Sequence, residues 1–271
     1  MTSLADVQDA VEALWPVAGA EEWDAVGLLS GDPAAEVRSI HLAVDAVLDT
    51  VDEAIAAKSD LLLVHHPLLL RGVTTVAETR YKGAVLARLI RAGCALIAAH
   101  TNADVVASGT SAVLAAKLGL HDIHPLVPSV SDPSLGIGRV GVLAEPTTLG
   151  RLARGLADIL PATAQGIRVA GEYERPVSRV ALCAGAGDAY LGLPDVLGAD
   201  VYVTSDLRHH PASEARENAR VGSGPALVDV SHWASEWLWL DTAAGQLRDA
   251  LPGVEITVSD LRTDPFEFAI V

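Results

Sequence analysis

The segment "SDLLLVHHPLLL", residues 59–70, ends a run of aliphatic residues on His65-His66-Pro67. Two further segments, "AAHTNAD" and "SHWASE", each carry a histidine followed four residues later by an acid. These pairs are His100 with Asp104 and His232 with Glu236. Such donors, with no thiolate among them, point to divalent cations. A single catalytic zinc takes three protein ligands plus water. His65, His66 and His232 with Asp104 and Glu236 exceed that number and suit two ions sharing a carboxylate. Two such ions about 3.5–4 Å apart activate a water and polarise a substrate oxygen. Glu236 is the natural bridge, because a residue four places after His232 on a helix shares its face. Pro67 keeps His66 extended. Neighbouring side chains on extended backbone diverge, so His65 and His66 are expected to serve different ions.

The ordinary reading of each piece is weaker than the combination. A histidine pair alone is usually incidental, and His-x-x-x-Glu alone is more often a pair on a helix surface. His100 can also be read as a core histidine bonded to a carbonyl. Recurrence at successive strand ends is what raises a metal site above these readings. His100 and Asp206 are the candidates for proton transfer. His209 and His210, in "RHHPA", lie past a predicted strand end and are expected at most to line a cleft. His41 alternates within a strand, and His121 and His124 fall in a predicted loop, so none of the three is expected to act.

The elements that position these residues follow from hydrophobic spacing. Leu4, Val7, Val11 and Leu14 predict a helix ending before Pro16. A glycine-containing loop, "EEWDAVGLLSGDP", then leads to a strand, "SIHLAVD". A helix through "AVLDTVDEAIAAK" precedes the strand "DLLLV" and the histidine pair. "TRYKGAVLARLIRAG" predicts a helix ending at Gly93, followed by the strand "CALIAAH". Short apolar strands alternating with helices indicate parallel sheet and an α/β fold. The Pro-, Ser- and Gly-rich stretch "HDIHPLVPSVSDPSLGIG" marks a boundary, giving an N-terminal α/β lobe over 1–127 and a C-terminal one over 128–271. The final segment is a candidate to pack back on the first lobe.

The two halves echo one another. "SIHLAVD" at 39 matches "RVALCAG" at 179, and "SDLLLVHHP" at 59 matches "ADVYVTSDLRHHP" at 199, both offset by 140 residues. "ALVDVSHWASE" likewise echoes "ALIAAHTNAD". This order suggests an internal duplication, with a metal site in the cleft between similar lobes, since parallel sheets bind ligands at the carboxyl ends of their strands. Thr204, Ser205 and Asp206 occupy the positions equivalent to Val64, His65 and His66, making them candidates to support the site. The small residues of "AGAGDAYLG" are expected to let backbone approach a substrate phosphate. That segment is not a GxGxxG fingerprint, and no P-loop or GxSxG motif occurs.

Bulk properties exclude more than they identify. Half of the 271 residues are apolar, enough for a sizeable core, and only 4% are aromatic. A formal charge of −16, with lysine only at 58, 82 and 117, argues against nonspecific nucleic-acid binding or attachment to an anionic membrane. Cys94 and Cys183 sit in apolar segments without CxxC partners and are expected to be buried thiols. The N-terminus lacks a basic leader, and no apolar run approaches the ~18 residues of a membrane span, so a cytoplasmic protein is expected.

"EEWDAVGLLSGDP", "DLLLVHHPL", "AAHTNAD", "CAGAGDAYL", "ADVYVTSDLRHH", "HWASE" and the closing "DPF" resemble, in order, the motifs of the GTP cyclohydrolase I type 2 family, also called the Nif-three-like dinuclear-metal family. The resemblance implies a two-lobed α/β protein, a toroidal homohexamer and two divalent ions per subunit. It places the ligands at His65, His66, Asp104, His232 and Glu236, the set reached from spacing. The chain departs from the pattern at Ser205 and Ser231, where the family carries glycine.

Together these observations imply a dinuclear metal-dependent hydrolase acting on a small nucleotide or heterocyclic substrate, with ring opening of GTP the reaction named by the resemblance. The ions could be Zn, Fe, Mn, Co or Ni. The rival readings are a metal-stabilised binding or scaffold protein without turnover and a dimetal phosphoesterase.

Overall fold

A computed structural model describes residues 1–222 and 224–270. The chain divides into two compact units. The first comprises Met1–Val106 with Leu240–Thr263, and the second Ala107–Trp239 with the segment from Asp264 onward.

The first unit begins with helix α1 (Leu4–Leu14), where Ser3 and Asp6 form a reciprocal capping box. It continues through β1 (Gly27–Ser30), β2 (Ser39–Asp45), α2 (Leu48–Ala56), β3 (Leu61–His66), α3 (Tyr81–Ala92), β4 (Ala95–Ala98) and α4 (Thr101–Val105). The predicted end of α3 is met by Gly93, which takes the left-handed conformation at φ +70°. Strands β2, β3 and β4 are parallel neighbours and buried along most of their length, as their near-continuous aliphatic sequences require. Leu62 and Val64 of β3, with Leu96 and Ala98 of β4, share a buried cluster with Val51 and Ala54 of α2 and Val85 and Leu89 of α3. Alternation places these strand residues on one face, under the helices.

The second unit contains α5 (Thr110–Lys117), β5 (Leu120–His124), β6 (Val127–Pro128), β7 (Gly136–Ile137), β8 (Arg139–Thr148), α6 (Leu149–Ile159), β9 (Arg168–Ala170), β10 (Pro176–Ala186), α7 (Pro194–Leu197), β11 (Val201–Ser205), α8 (His209–Val221) and β12 (Ala226–Val230). Its sheet runs in the order β5-β8-β10-β11-β12-β9, with β10, β11 and β12 parallel. The first unit likewise contains three parallel strands in sequential order, β2-β3-β4. The last helix, α9 (His232–Ala250), starts in the second unit, and β13 (Glu255–Val258) then pairs in parallel with β2 in the sheet of the first.

The α/β expectation is met: two mixed sheets carry helices, and the strands fall where apolar runs placed them. Two expected loops are corrected. The segment "EEWDAVGLLSGDP" holds strand β1, which pairs antiparallel with β4. His121 and His124 lie on β5, an edge strand antiparallel to β8. Both segments are polar or glycine-broken, and it is backbone pairing with a buried neighbour that makes them strands. Cys94 and Cys183 are buried free thiols, and burial pushes the Cys94 thiol up to about 12. No helix among the described residues is long and apolar enough to cross a membrane.

Leu62 is fully buried beneath α2 and α3. Leu62→Ala should therefore cost about 2–5 kcal/mol, read from the urea unfolding midpoint; a change below 1 kcal/mol would show that this cluster is not the core of the unit.

Candidate metal centre

In the first unit the strand ends do the positioning. His65 and His66 are the last residues of β3, and His100 directly follows β4 and precedes α4. Because β3 and β4 are parallel neighbours in register, their carboxyl ends bring these residues together. The rings of His65 and His66 stand 5.1 Å apart between centroids, and that of His100 lies 5.2 Å and 5.6 Å from them. One ligand atom from each of the three falls within 4.8 Å of the others. Strand alternation predicted that His65 and His66 would diverge; where the strand ends at Pro67, the two rings instead gather beside His100.

Each imidazole is held through Nδ1. His65 donates to the backbone carbonyl of Ala99 at 2.8 Å, His66 to the Asp45 carboxylate at 2.7 Å, and His100 to the Asp24 carboxylate at 2.9 Å. A carbonyl cannot donate, so Nδ1 of His65 carries the hydrogen of this bond. The two carboxylates likewise accept from Nδ1 of His66 and His100. This is the arrangement by which outer groups orient metal-binding histidines. His65 Nε2 also lies 3.7 Å from the Asp104 carboxylate.

The Asp24 side chain is fully buried. Burial alone would raise its carboxyl, but hydrogen bonds from His100 and Thr101, the charge of His100 and the Ala25 N–H outweigh it. They hold the carboxyl well below the usual carboxylate range. Thr101 contributes both its N–H, at 3.0 Å, and its hydroxyl.

In the second unit a separate group forms around the start of α9. His232 and Glu236 lie one turn apart, with Nε2 and Oε1 separated by 3.0 Å. His232 Nδ1 donates to Asp206 at 2.7 Å. Burial works to lower the His232 imidazole, but the Glu236 charge and the hydrogen bonds of Asp206 and Glu236 raise it well above its ordinary value. A proton there sets one positive charge against two facing carboxylates, and a metal bound at this imidazole would have to displace it. Asp206 adopts a left-handed φ of +57°, which directs its side chain back to the helix.

Gly185, at φ +72°, is the residue the small-residue motif serves. A Cβ at this position would lie 2.3 Å from Glu236 Oε1 and 3.3 Å from His232 Nε2. The glycine makes room for the protein's own carboxylate. Its N–H also donates to Ser235 at 2.9 Å. Ser231, a glycine in the family pattern, precedes α9; its hydroxyl accepts from Ala234 N–H at 3.2 Å and donates to Asp264 of the "DPF" motif. The substitution leaves the ligands in place and caps the helix.

These donors fit a divalent cation: imidazole nitrogens with fixed tautomers, interspersed with carboxylates and without thiolates. A family model described as Duf34/NIF3 (NGG1p interacting factor 3) matches residues 2–265. The chain belongs to this family. A Streptomyces coelicolor protein named GTP cyclohydrolase 1 type 2 homolog is 47% identical over 272 residues, spanning 98% of this chain and 94% of its own. A Mycobacterium leprae protein of the same name is 33% identical, spanning 97% of this chain and 94% of its own. A crystal structure of a Staphylococcus aureus hypothetical protein has the same fold, with a TM-score of 0.89 at 27% identity over 99% of both chains. The family read from the motifs is thus the one the comparisons return.

Within this Duf34/NIF3 chain, spacing did not single out Asp24, Asp45 or Gly185. Asp45 was the most accessible of them, because it ends β2 at the same level as His66 in the parallel register. Of the remaining histidines, His41 is buried and bonded to Thr257 and Glu53. His209 and His210 are exposed at the start of α8.

Two variants test this construction. Gly185→Ala should weaken metal binding by at least about tenfold in competition titrations, since it displaces Glu236; unchanged affinity would remove Gly185 from the site. Asp24→Asn should destabilise the protein by about 1.5–3 kcal/mol at neutral pH. Because the folded carboxyl lies below its ordinary 3.8, that contribution is complete above this pH and is lost as pH falls below it. The gap between the two proteins in thermal unfolding should therefore be full above about pH 4 and narrow progressively only as pH falls below that value, and a gap independent of pH would refute the ionised carboxylate.

Proposed function

We propose that this chain is a cytoplasmic dinuclear metal-dependent hydrolase acting on a small nucleotide or heterocyclic substrate, with ring opening of GTP the leading reaction. The observation that supports it most is the Nδ1 tethering of His65, His66, His100 and His232, which prepares Nε2 donors as metal enzymes do. The proposed holders of two divalent ions are His65, His66, Asp104, His232 and Glu236. When bound, such ions supply Lewis acidity and a water of lowered pKa. The printed names of the relatives, GTP cyclohydrolase 1 type 2 homolog, support GTP as the first substrate to try. The toroidal homohexamer implied by the resemblance belongs to the same reading.

The roles of the chain's own residues follow from their partners. His100 takes a proton at Nε2 and returns it, because the buried, ionised Asp24 on Nδ1 stabilises the imidazolium. Asp45 holds the His66 ring, and the Ala99 carbonyl holds the His65 ring. Asp206, first considered for proton transfer, is assigned to orienting His232. Glu236, kept in place by the space over Gly185, is the carboxylate available to bridge.

Metal analysis should find about two ions per chain in the reconstituted protein. His65→Ala and Glu236→Gln should each lose metal and lower formate release from GTP by at least about 100-fold. Full turnover in a metal-free variant would defeat this reading, and inorganic phosphate without formate would replace it with a phosphoesterase.

A further inference from the structure

Trp23 is 59% exposed, although the side chain of its neighbour in sequence, Asp24, is fully buried. Its indole meets the His100 imidazole edge to face, with ring centroids 5.9 Å apart at 75°. The turn carrying it is pinned on both sides. Asp24 N–H donates to the Glu21 carbonyl at 3.0 Å, and Glu21 N–H donates to the Thr101 hydroxyl at 3.0 Å. Asp24 then accepts from Ala25 N–H at 2.7 Å, from His100 and from Thr101.

A large aromatic is thus held in a defined place and left in water, against the apolar free energy that favours burying it. The charge beside Trp23 selects the ligand further. Glu21 and Glu22 are exposed on the same turn, so a phosphate is repelled there, whereas an uncharged planar ring is not. A planar heterocycle stacks on an indole with offset geometry, and stacking tolerates any base.

We infer that Trp23 is the positioning residue for the planar heterocycle of the substrate, holding it beside His100 with the substrate's charged groups directed away from Glu21 and Glu22. This inference rests on the hydrolase reading above, which it deepens by naming the part of the ligand that the turn recognises.

The test uses the metal-reconstituted full chain and two probes, GTP and inorganic tripolyphosphate, with affinities measured by calorimetry. Trp23→Ala should weaken GTP binding about 10- to 100-fold, the range expected for one base stack. It should leave tripolyphosphate affinity and metal content unchanged, and Trp23→Phe should recover most of the loss. The inference is overturned by equal GTP affinity in Trp23→Ala, by an equal loss for both probes, or by no saturable GTP binding to the wild-type protein. A change of oligomeric state with GTP affinity intact would also overturn it, assigning the indole to a subunit contact. His65→Ala separates the two readings. If that variant is metal-free yet binds GTP with full, Trp23-dependent affinity, the stack stands and the metal-dependent hydrolase falls.

Discussion

The tether on Nδ1 is the constraint from which the rest of the site follows. An untethered imidazole rotates, exchanges its proton between two nitrogens and offers a metal no fixed donor. In the first unit His65, His66 and His100, and in the second His232, each have one nitrogen committed to a carbonyl or a carboxylate. The acceptors come from neighbouring elements: Asp45 from the end of β2, Ala99 from the end of β4, Asp24 from the turn before β1, and Asp206 from the end of β11. The sheets therefore do more than carry ligands. Their registers set the tautomers of those ligands.

The same economy explains the glycine and the left-handed residue of the second unit. Glu236 is almost fully buried, and a buried carboxylate is costly without partners. His232 provides one partner a single turn away, and the absent side chain at Gly185 provides the space. Asp206 accepts a backbone conformation disfavoured for most residues, for which aspartate is among the least penalised, and thereby reaches His232. The two carboxylates outweigh the effect of burial, which is why the imidazole rises well above its ordinary value. Occupation by metal and by a proton are alternative solutions to one electrostatic problem.

The acidic character of the chain acquires a local meaning in this light. With a charge of −16, the protein does not attract polyanions in general. Near the imidazole cluster the carboxylates have specific work: Asp24 and Asp45 orient rings, and Asp104 stands near His65 Nε2. An anionic substrate approaching such a surface depends on cations to offset the repulsion, while its uncharged ring is free to use apolar contacts. That division between charged and planar parts is a consequence of Coulomb's law in a site crowded with carboxylates.

The sequence by itself determined the α/β class, the strands carrying His65-His66 and His100, the helices α1 and α3 with their ends, and the family. These are local properties: hydrophobic periodicity, a terminating proline, a terminal glycine and motifs in order all lie within a few residues of one another. It also placed His65, His66 and His100 at strand ends, because apolar runs stop where polar donors begin. Only the tertiary structure decided what those donors touch. Asp24 reaches His100 across 76 residues, Asp45 reaches His66 across 21, and Asp206 reaches His232 across 26. No spacing rule links such pairs, since register and a turn's path bring them together. Strands β1 and β5 escaped for the same reason, as edge strands exist through the partner they pair with. The purpose of Gly185 was invisible until Glu236 was seen to occupy the space its missing side chain leaves.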